Sequence, residues 1–145
     1  MIADDDPDIR ELLSITFIRA GFTVVAAADG RAALRAAEQQ LPDAVLADMD
    51  MPGLTGERLC LAMRAHPRLR TVPMAVLSGT LYPQDSRCQR AGACMVMLEP
   101  VANKDLVTAI KHLVATGPHG HRPDHECCAT PARLRPAEFL AVTGG

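Results

Sequence analysis

The sequence lacks the features that direct a chain to DNA, to a membrane or out of the cell. Its 15 basic and 17 acidic residues give a formal net charge of −2, so no overall electrostatic attraction draws it to nucleic acid or to an anionic bilayer. No apolar run approaches the ~20 residues needed to cross a membrane. The first residues are rich in Asp where a signal peptide is basic. We therefore expect a cytoplasmic protein that binds neither nucleic acid directly nor a membrane.

The sequence also lacks the cysteine pattern of a disulfide-bonded protein. It has five cysteines, an odd number. Cys60, Cys88 and Cys94 stand singly inside apolar or amphipathic stretches, as reduced core thiols do. Cys127 and Cys128 are adjacent near the C-terminus. Disulfide bonds are therefore not expected.

The chain does have the composition of one folded domain and an alternating pattern of segments. Its 145 residues, 48% hydrophobic and 22% charged, suit a single soluble domain. Up to about residue 115, short apolar runs alternate with amphipathic stretches, as a parallel sheet covered by helices requires. The runs, too short for helices, are residues 1–3, 22–27, 44–47, 74–77 and 95–98. We predict an α/β domain over residues 1–115 with five strands and five helices.

Apolar residues at helical spacing place helices between the predicted strands. In the first helix, Asp6 can cap the amide groups, Pro7 suits the first helical position and Gly21 follows the end. The other predicted helices cover residues 30–39, 56–65, 83–91 and a last segment ending near residue 115. The core faces of the first and last helices are Ile9, Leu12, Leu13, Phe17 and Ala20, and Leu106, Val107, Ile110, Leu113 and Val114. Because the first strand is short, we expect that residues preceding Met1 are missing from this sequence.

Residues 116–145 differ in character from the domain before them. Gly and Pro recur there without any hydrophobic period, which predicts a flexible tail. Its histidines and cysteines are metal-ligating types, but their spacing matches no common zinc pattern, and adjacent cysteines rarely share one ion. These residues are His119, His121, His125, Cys127 and Cys128. We predict a polar extension there rather than a zinc site.

Acidic and hydroxyl side chains follow the ends of four predicted strands. Asp4 and Asp5 follow the first strand. Asp48, Ser78 and Glu99 close the third, fourth and fifth strands. Parallel strands end at one edge of a sheet, and open α/β sheets bind ligands at that edge where the strand order reverses, here between strands one and three of the order 2-1-3-4-5. We therefore expect these side chains to meet at a ligand site.

Carboxylates gathered at one edge repel one another unless some take up protons or a cation lies among them. Mg²⁺ suits such a site because it prefers oxygen ligands, needs only one or two carboxylates and keeps places for phosphate oxygens. A carboxylate such as Asp48 beside the ion can attack a phosphoryl donor and form an aspartyl phosphate. The Ser78 hydroxyl could donate to a phosphoryl oxygen. The pattern indicates magnesium-dependent phosphoryl transfer.

Several ordered segments resemble bacterial two-component receiver domains of the CheY type. Residues 3–13 (ADDDPDIRELL) are similar to the opening of these domains, and residues 42–56 (PDAVLADMDMPGLTG) to their phosphoacceptor segment. Residues 76–79 (VLSG), 91–93 (AGA) and 98–100 (LEP) match later landmarks. The resemblance covers about 115 residues. It implies a flavodoxin-like (βα)5 doubly wound fold with a five-stranded parallel sheet in the order 2-1-3-4-5.

The resemblance also implies roles for individual residues. Asp48 would be the phosphoacceptor and, with Asp5, a direct ligand of Mg²⁺. Asp4 would act through metal-bound water, and the Asp50 backbone carbonyl would add a ligand. Ser78 would hold a phosphoryl oxygen and shift when it arrives.

The partners implied by the resemblance are proteins. The phosphoryl donor would be a sensor histidine kinase or a phosphotransfer protein, and the output of a stand-alone receiver would be a further protein contact. Such a domain is not an enzyme, apart from its own phosphorylation and dephosphorylation. A homodimer through the surface of helix four, strand five and helix five is a family property that the sequence leaves open.

Two residues depart from the family pattern. Receivers carry Lys before the last proline, where its ammonium pairs with the acceptor carboxylate, and this chain has Glu99. Two unit charges ~4 Å apart interact by ~4 kcal/mol at an effective dielectric of 20, so the reversal is expected to weaken phosphoryl stabilisation. Val96 stands where the family places Tyr or Phe, the ring that swings inward on phosphorylation. We therefore expect output through rearrangement of residues 78–81 or a weakened switch.

The sequence leaves two other functions open. A pseudo-receiver would fold alike and signal without phosphorylation, which Glu99 and Val96 favour. Asp48-Met-Asp50 also looks like the nucleophile and acid pair of haloacid-dehalogenase-type phosphatases. In that family the pair follows the first strand and a Lys comes downstream, so the order of acidic residues here argues against a phosphatase.

Overall fold

The computed structural model of the chain describes residues 1–80 and 86–121. Within these ranges five strands alternate with five helices, as the alternating apolar runs predict. The strands are β1 (Ile2–Ala3), β2 (Ala26–Ala27), β3 (Val45–Asp48), β4 (Met74–Ser78) and β5 (Met95–Leu98). The helices are α1 (Pro7–Arg19), α2 (Gly30–Gln40), α3 (Gly56–Ala65), α4 (Arg87–Arg90) and α5 (Asn103–Thr116).

The strands form one parallel sheet in the order β2-β1-β3-β4-β5. This is the doubly wound order predicted above, so the flavodoxin-like (βα)5 fold is confirmed. The register aligns the carboxyl ends of the strands: Asp48 lies opposite Leu77, and Ser78 lies opposite Leu98. The residues that close these strands are therefore brought to one edge of the sheet.

Helices cover both faces of the sheet, and each face has its own apolar core. Successive strand side chains point to opposite faces, so Val45 joins the core under α2, α3 and α4, while Leu46 joins the core under α1 and α5. Strands buried on both faces need continuous apolar runs, which explains why the runs lack polar alternation. The helices contribute Ala33, Ala37, Leu59, Cys60, Met63 and Cys88 to the first core, and Leu13, Phe17, Leu106, Ala109, Ile110 and Leu113 to the second.

Local chemistry sets the start and the end of α1. The Asp6 side chain accepts hydrogen bonds from the N–H groups of Asp8 at 2.9 Å and Ile9 at 3.3 Å, and Pro7 is the first helical residue. Gly21 follows the helix with φ +95°, a left-handed conformation that glycine adopts without strain. The predicted boundaries of this helix are confirmed, but part of its predicted core face is wrong. Leu13 and Phe17 are buried, whereas Ile9 and Leu12 are exposed.

β2 and α4 differ from their predicted ranges. The apolar run 22–27 contributes only Ala26 and Ala27 to the sheet, because β1 offers only two residues for pairing. Phe22 and Val24 instead pack against the core under α1 and α5. The helix predicted over 83–91 is seen from Arg87, and residues 81–85 lie outside the described part of the chain.

α5 ends at Thr116, one residue beyond the predicted domain boundary, and the chain continues along the domain to His121. The His119 N–H donates to the Thr71 carbonyl at 3.1 Å. Residues 122–145, which include His125, Cys127 and Cys128, lie outside the described residues, so the flexible character of that tail stays a prediction. Over residues 1–80 and 86–121, no helix combines the length and apolarity needed to span a membrane.

Candidate functional site at the carboxyl edge of the sheet

The carboxyl edge of the sheet gathers three of the predicted site residues. Asp4 and Asp5 follow β1 and Asp48 ends β3, and carboxylate oxygens of all three lie within 4.8 Å of one another. We call these residues the acidic cluster. Asp4 is 4% exposed, Asp48 is half-buried and Asp5 is exposed. The predicted convergence is present, and one side of it faces solvent.

Hydrogen bonds hold the loop after β1 in place. The Asp6 N–H donates to Asp4 Oδ1 at 2.9 Å. Arg10 Nη1 donates to the backbone carbonyls of Asp4 at 2.8 Å and Asp5 at 3.4 Å. Arg10 is not among the predicted site residues. Its position in the first turn of a helix that begins at the site could have indicated that it supports the loop after β1.

The loop between β3 and α3 packs directly on Asp48. A Cβ atom at position 56 would lie 2.7 Å from the Asp48 carbonyl oxygen, so only a glycine, Gly56, lets the start of α3 approach this closely. Gly53 adopts φ +77°, a left-handed turn that favours glycine. These two glycines keep the loop tight against the end of β3.

Burial and mutual repulsion disfavour the charged forms of these carboxylates. Partial burial, and then the charge of Asp4, raise the pKa of Asp48 to about 6, although a hydrogen bond from the Asp50 N–H acts in the opposite direction. Burial is also the main cause that raises the pKa of Asp4. An all-oxygen donor set with excess negative charge fits a hard dication such as Mg²⁺, because the ion would relieve the repulsion.

Ser78 is linked to the β3–α3 loop through Thr80. Ser78 is fully buried at the end of β4, and its Oγ accepts a hydrogen bond from the Thr80 N–H at 3.2 Å. Thr80 Oγ1 donates to Asp50 Oδ2 at 2.8 Å. Thr80 lies in the segment 78–81 that is predicted to rearrange, but its hydrogen bond to Asp50 is not among the predictions. The role of the Asp50 carbonyl as a metal ligand stays a prediction.

Glu99 lies near the acidic cluster. A Cβ atom at Gly79 would lie 3.3 Å from Glu99 Oε2, so this carboxylate stands over the end of β4. Partial burial, and then the charges of Asp48 and Asp50, raise the pKa of Glu99. The Glu99 carboxylate is therefore close enough to Asp48 for their negative charges to repel one another.

Val96 is an interior residue. It is 6% exposed and packs in the core under α2, α3 and α4. A buried valine has no ring to exchange between solvent and interior.

Comparison with known sequences identifies the family. Residues 1–111 match the response regulator receiver domain. The chain belongs to this family. The receiver domain is 35% identical to the transcriptional regulatory protein PrrA of Mycobacterium tuberculosis over 115 residues, which cover 79% of this chain and 48% of PrrA. It thus spans about half the length of the curated relatives it matches.

Two solved receiver domains share the fold. That of a signal transduction histidine kinase from Syntrophus aciditrophicus has a TM-score of 0.74 at 28% identity, over 79% of this chain and 88% of the other. That of the sensor histidine kinase PA1611 from Pseudomonas aeruginosa, solved with a magnesium ion in its active site cleft, has a TM-score of 0.72 at 28% identity, over 79% of this chain and 94% of the other. The predicted receiver family and CheY-like fold are confirmed.

Proposed function

We propose that this receiver domain acts in phosphorelay signalling by accepting a phosphoryl group on Asp48 from a histidine kinase or a phosphotransfer protein. The observation that carries the proposal is the acidic cluster, whose carboxylate oxygens lie within 4.8 Å of one another. Asp48 is the half-buried member, at the end of β3. Such a carboxylate can serve as a nucleophile once the charge of its neighbours is compensated.

The donor set supports Mg²⁺ as the compensating ion. Asp5 and Asp48 would hold it directly, and Asp4 would act through bound water. The Asp50 carbonyl would add a further oxygen. When bound, the ion neutralises charge on the transferring phosphoryl group. The magnesium ion in the cleft of the PA1611 receiver domain supports this assignment.

Asp48 is the nucleophile of the proposed transfer. Its carboxylate oxygen bonds to phosphorus while the bond from phosphorus to the donor breaks, and the donor leaves with that electron pair. The Ser78 oxygen accepts from the Thr80 N–H and also contacts Thr80 Oγ1 at 3.5 Å, so its hydroxyl would have to turn from Thr80 to donate to a phosphoryl oxygen. Because Thr80 also contacts Asp50, a shift of Ser78 would carry residues 78–80 with it. This segment is the proposed output switch, in place of the missing aromatic ring.

An exposed apolar stripe on α1 supports a protein partner beside the acidic cluster. Four large apolar side chains recur along the outer side of this helix and are exposed: Ile9, Leu12, Ile15 and Ile18. Exposed apolar patches of this kind mark interaction surfaces. α1 begins two residues after Asp5, so a partner helix on the stripe would hold its phosphohistidine close to Asp48.

We propose that the domain is a phosphoacceptor and not an enzyme with other substrates. Its net charge of −2 favours an output contact with protein over direct contact with DNA. The buried thiols Cys60 and Cys88 are not in disulfides, which supports a place in the reducing cytoplasm. The stand-alone arrangement stays a prediction, since curated relatives are about twice as long.

Phosphorylation by a small donor tests the proposal. The full chain is incubated with acetyl phosphate and Mg²⁺, and intact-mass spectrometry measures the addition of one phosphoryl group. We expect addition to wild type and none to Asp48→Ala. The control Asp43→Ala removes an exposed carboxylate next to the opposite end of β3 and should be phosphorylated normally. A folded wild-type protein without Asp48-dependent addition would contradict the proposal.

The position of Glu99 favours a second candidate, a pseudo-receiver that signals without phosphorylation. Its carboxylate adds negative charge near Asp48 and over the end of β4. The same assay separates the two functions. Phosphorylation of wild type excludes the pseudo-receiver, whereas phosphorylation only after Glu99→Lys would support it.

A further inference from the structure

Three metal-ligating side chains meet at the amino edge of the sheet, away from the acidic cluster. Cys94 precedes β5, and His119 and His121 follow α5. Cys94 Sγ lies 3.5 Å from His119 Nε2 and 3.7 Å from His121 Nε2, and the three ligand atoms all lie within 4.8 Å of one another. We propose that these residues, the Cys-His cluster, form a binding site for a zinc-like transition-metal dication.

The distances from Cys94 Sγ to the two histidine nitrogens match tetrahedral coordination. With Zn–S of about 2.3 Å, Zn–N of about 2.0 Å and a tetrahedral angle, the sulfur and each nitrogen lie about 3.5 Å apart. The two measured distances, 3.5 and 3.7 Å, therefore need almost no adjustment. The imidazole rings lie side by side, with centroids 4.5 Å apart, so one ion between them and the sulfur can reach all three side chains.

His119 presents the nitrogen that a metal needs. Its Nδ1 lies 2.8 Å from the Gly117 carbonyl oxygen. A carbonyl can only accept, so Nδ1 carries the proton and the lone pair of the neutral ring is on Nε2, the atom that faces Cys94. Metal-bound histidines are commonly held by such a bond from the other ring nitrogen, which fixes the tautomer and the ring orientation.

The backbone around Cys94 is organised for a thiolate. Cys94 is 3% exposed, and its Sγ accepts a hydrogen bond from the Met74 N–H at 3.4 Å. The Cys94 N–H in turn donates to the Met74 carbonyl at 2.8 Å. A backbone donor aimed at sulfur favours the ionised form that binds metals.

Three further hydrogen bonds hold the elements that carry the ligands. The His119 N–H donates to the Thr71 carbonyl at 3.1 Å, which attaches the segment after α5 to the loop before β4. Arg64 donates to the Gly92 carbonyl at 3.0 Å and to the Val72 carbonyl at 2.8 Å. Arg64 thus joins the loops that precede β4 and β5. The site is built on fixed backbone, which lowers the cost of ordering it around an ion.

The donor set selects the class of ion. Thiolate and imidazole ligands suit Zn²⁺ and similar transition metals, whereas Mg²⁺ takes oxygen ligands. Cys94 is buried, but the two histidines are half-buried, so an ion can enter from their side. A groove of about 510 Å³ opens beside His121. Three protein ligands leave the fourth tetrahedral position for a water molecule or another donor.

Cobalt substitution tests the proposal on the full chain. Reduced, chelator-treated protein is titrated with Co²⁺, which reports a bound thiolate through a sulfur-to-cobalt charge-transfer band and tetrahedral geometry through intense visible bands. We expect both signals to saturate at one ion per chain and to disappear when Zn²⁺ displaces Co²⁺. Mg²⁺ in large excess should leave both unchanged. Absence of the charge-transfer band at saturating Co²⁺ would overturn the proposal.

Substitution of each proposed ligand tests whether the ion binds at the Cys-His cluster. Loss of a supporting outer-shell group costs 10–100-fold in metal affinity, so loss of a direct ligand in Cys94→Ala, His119→Gln or His121→Gln should weaken Zn²⁺ binding by at least ~100-fold. Matched controls are Cys60→Ala, another buried thiol, and His112→Gln on α5, which should bind as wild type.

The tail cysteines provide the strongest competing explanation. A charge-transfer band that survives Cys94→Ala would place the ion elsewhere and overturn the proposal. If Cys94→Ala does not fold, His121→Gln decides, because that side chain is half-exposed and its loss should leave the fold intact. Wild-type affinity in His121→Gln would overturn the proposed site.

Discussion

The acidic cluster and the Cys-His cluster lie at opposite edges of one sheet and differ in donor chemistry. β4 runs between them: Ser78 ends the strand beside the first, and Met74 begins it beside Cys94 of the second. Four steps of a strand span about 13 Å. Oxygen donors suit Mg²⁺, and sulfur with nitrogen suits Zn²⁺. The two proposed ion sites would therefore not compete for the same metal.

The polarity of the helices adds to the difference between the edges. α1, α3 and α5 each follow a strand of a parallel sheet, so they begin near the carboxyl edge and end near the amino edge. Helix N-termini favour anions and C-termini favour cations. This polarity favours a phosphoryl group at the carboxyl edge, where it acts against the burial and repulsion that disfavour the carboxylates, and it favours a cation at the amino edge.

The largest expected difference between the two clusters is in the rate of phosphorylation, which should depend on the acidic cluster and not on the Cys-His cluster. Asp48→Ala should lose all phosphoryl incorporation from acetyl phosphate, because the nucleophile is gone. Cys94→Ala should keep a rate within about twofold of wild type, since distant sites act independently. Timed intact-mass measurements give the rates, and circular dichroism shows that both variants are folded. A folded Cys94→Ala protein that cannot be phosphorylated would break the comparison.

Cys60 provides a reference thiol for Cys94. Burial raises the pKa of Cys60 to about 11, so at pH 8 it is almost entirely in the unreactive thiol form. We expect iodoacetamide to modify it at least ~100-fold more slowly than a solvent-exposed thiol, with a rate that rises toward pH 11 as thiolate forms. Peptide mapping by mass spectrometry gives the rate at each cysteine.

Zn²⁺ should sharpen the contrast between these two thiols. We expect the ion to slow modification of Cys94 further and to leave Cys60 unchanged. Equal protection of both would indicate that the ion stabilises the whole fold rather than binding one thiol.

Reversal of the charge at Glu99 should change the rate of phosphorylation at the carboxyl edge and should not affect the Cys-His cluster at the amino edge. Glu99→Lys should raise the rate of phosphorylation by about 10- to 100-fold, because repulsion near Asp48 becomes attraction. Glu99→Gln should give a smaller gain. Glu11→Lys makes the same change in net charge on the exposed side of α1 and is the control. An equal gain in phosphorylation rate in both Lys variants would show that the effect comes from the overall charge. The affinity for Zn²⁺ should stay unchanged in all three variants.

The smallest expected effect is on stability. Partial burial and the charge of Asp4 disfavour ionised Asp48, so Asp48→Asn should raise the free energy of unfolding by about 1 kcal/mol after solvent screening is allowed for. Urea unfolding at neutral pH with a chelator present measures it, and Mg²⁺ should reduce the difference. Asp43→Asn is the matched control. Destabilisation by Asp48→Asn would show that the acidic cluster is not under electrostatic repulsion.

The buried strands could be predicted because a strand covered on both faces must be apolar throughout. Residues 45–47 and 74–77 follow this rule and lie in the sheet. Phe22 and Val24 are also apolar but lie outside the sheet, where they pack against the core under α1 and α5. A run of residues cannot distinguish such packing from strand pairing.

The acidic cluster could also be predicted, whereas its supporting contacts could not. Topology alone brings the ends of β1 and β3 together. The contacts of Arg10 with the β1 loop and of Thr80 with Asp50 depend on loop paths and side-chain rotamers. A sequence pattern does not record those features.

By itself the sequence determined the fold class, the strand order and the meeting of Asp4, Asp5 and Asp48, because these follow from short-range patterns and from the shared carboxyl edge of parallel strands. Only the tertiary structure decided that Cys94 meets two histidines 25 and 27 residues later in the chain. That contact depends on the path by which the chain crosses the amino edge of the sheet after α5. Residue spacing along the sequence does not indicate that path.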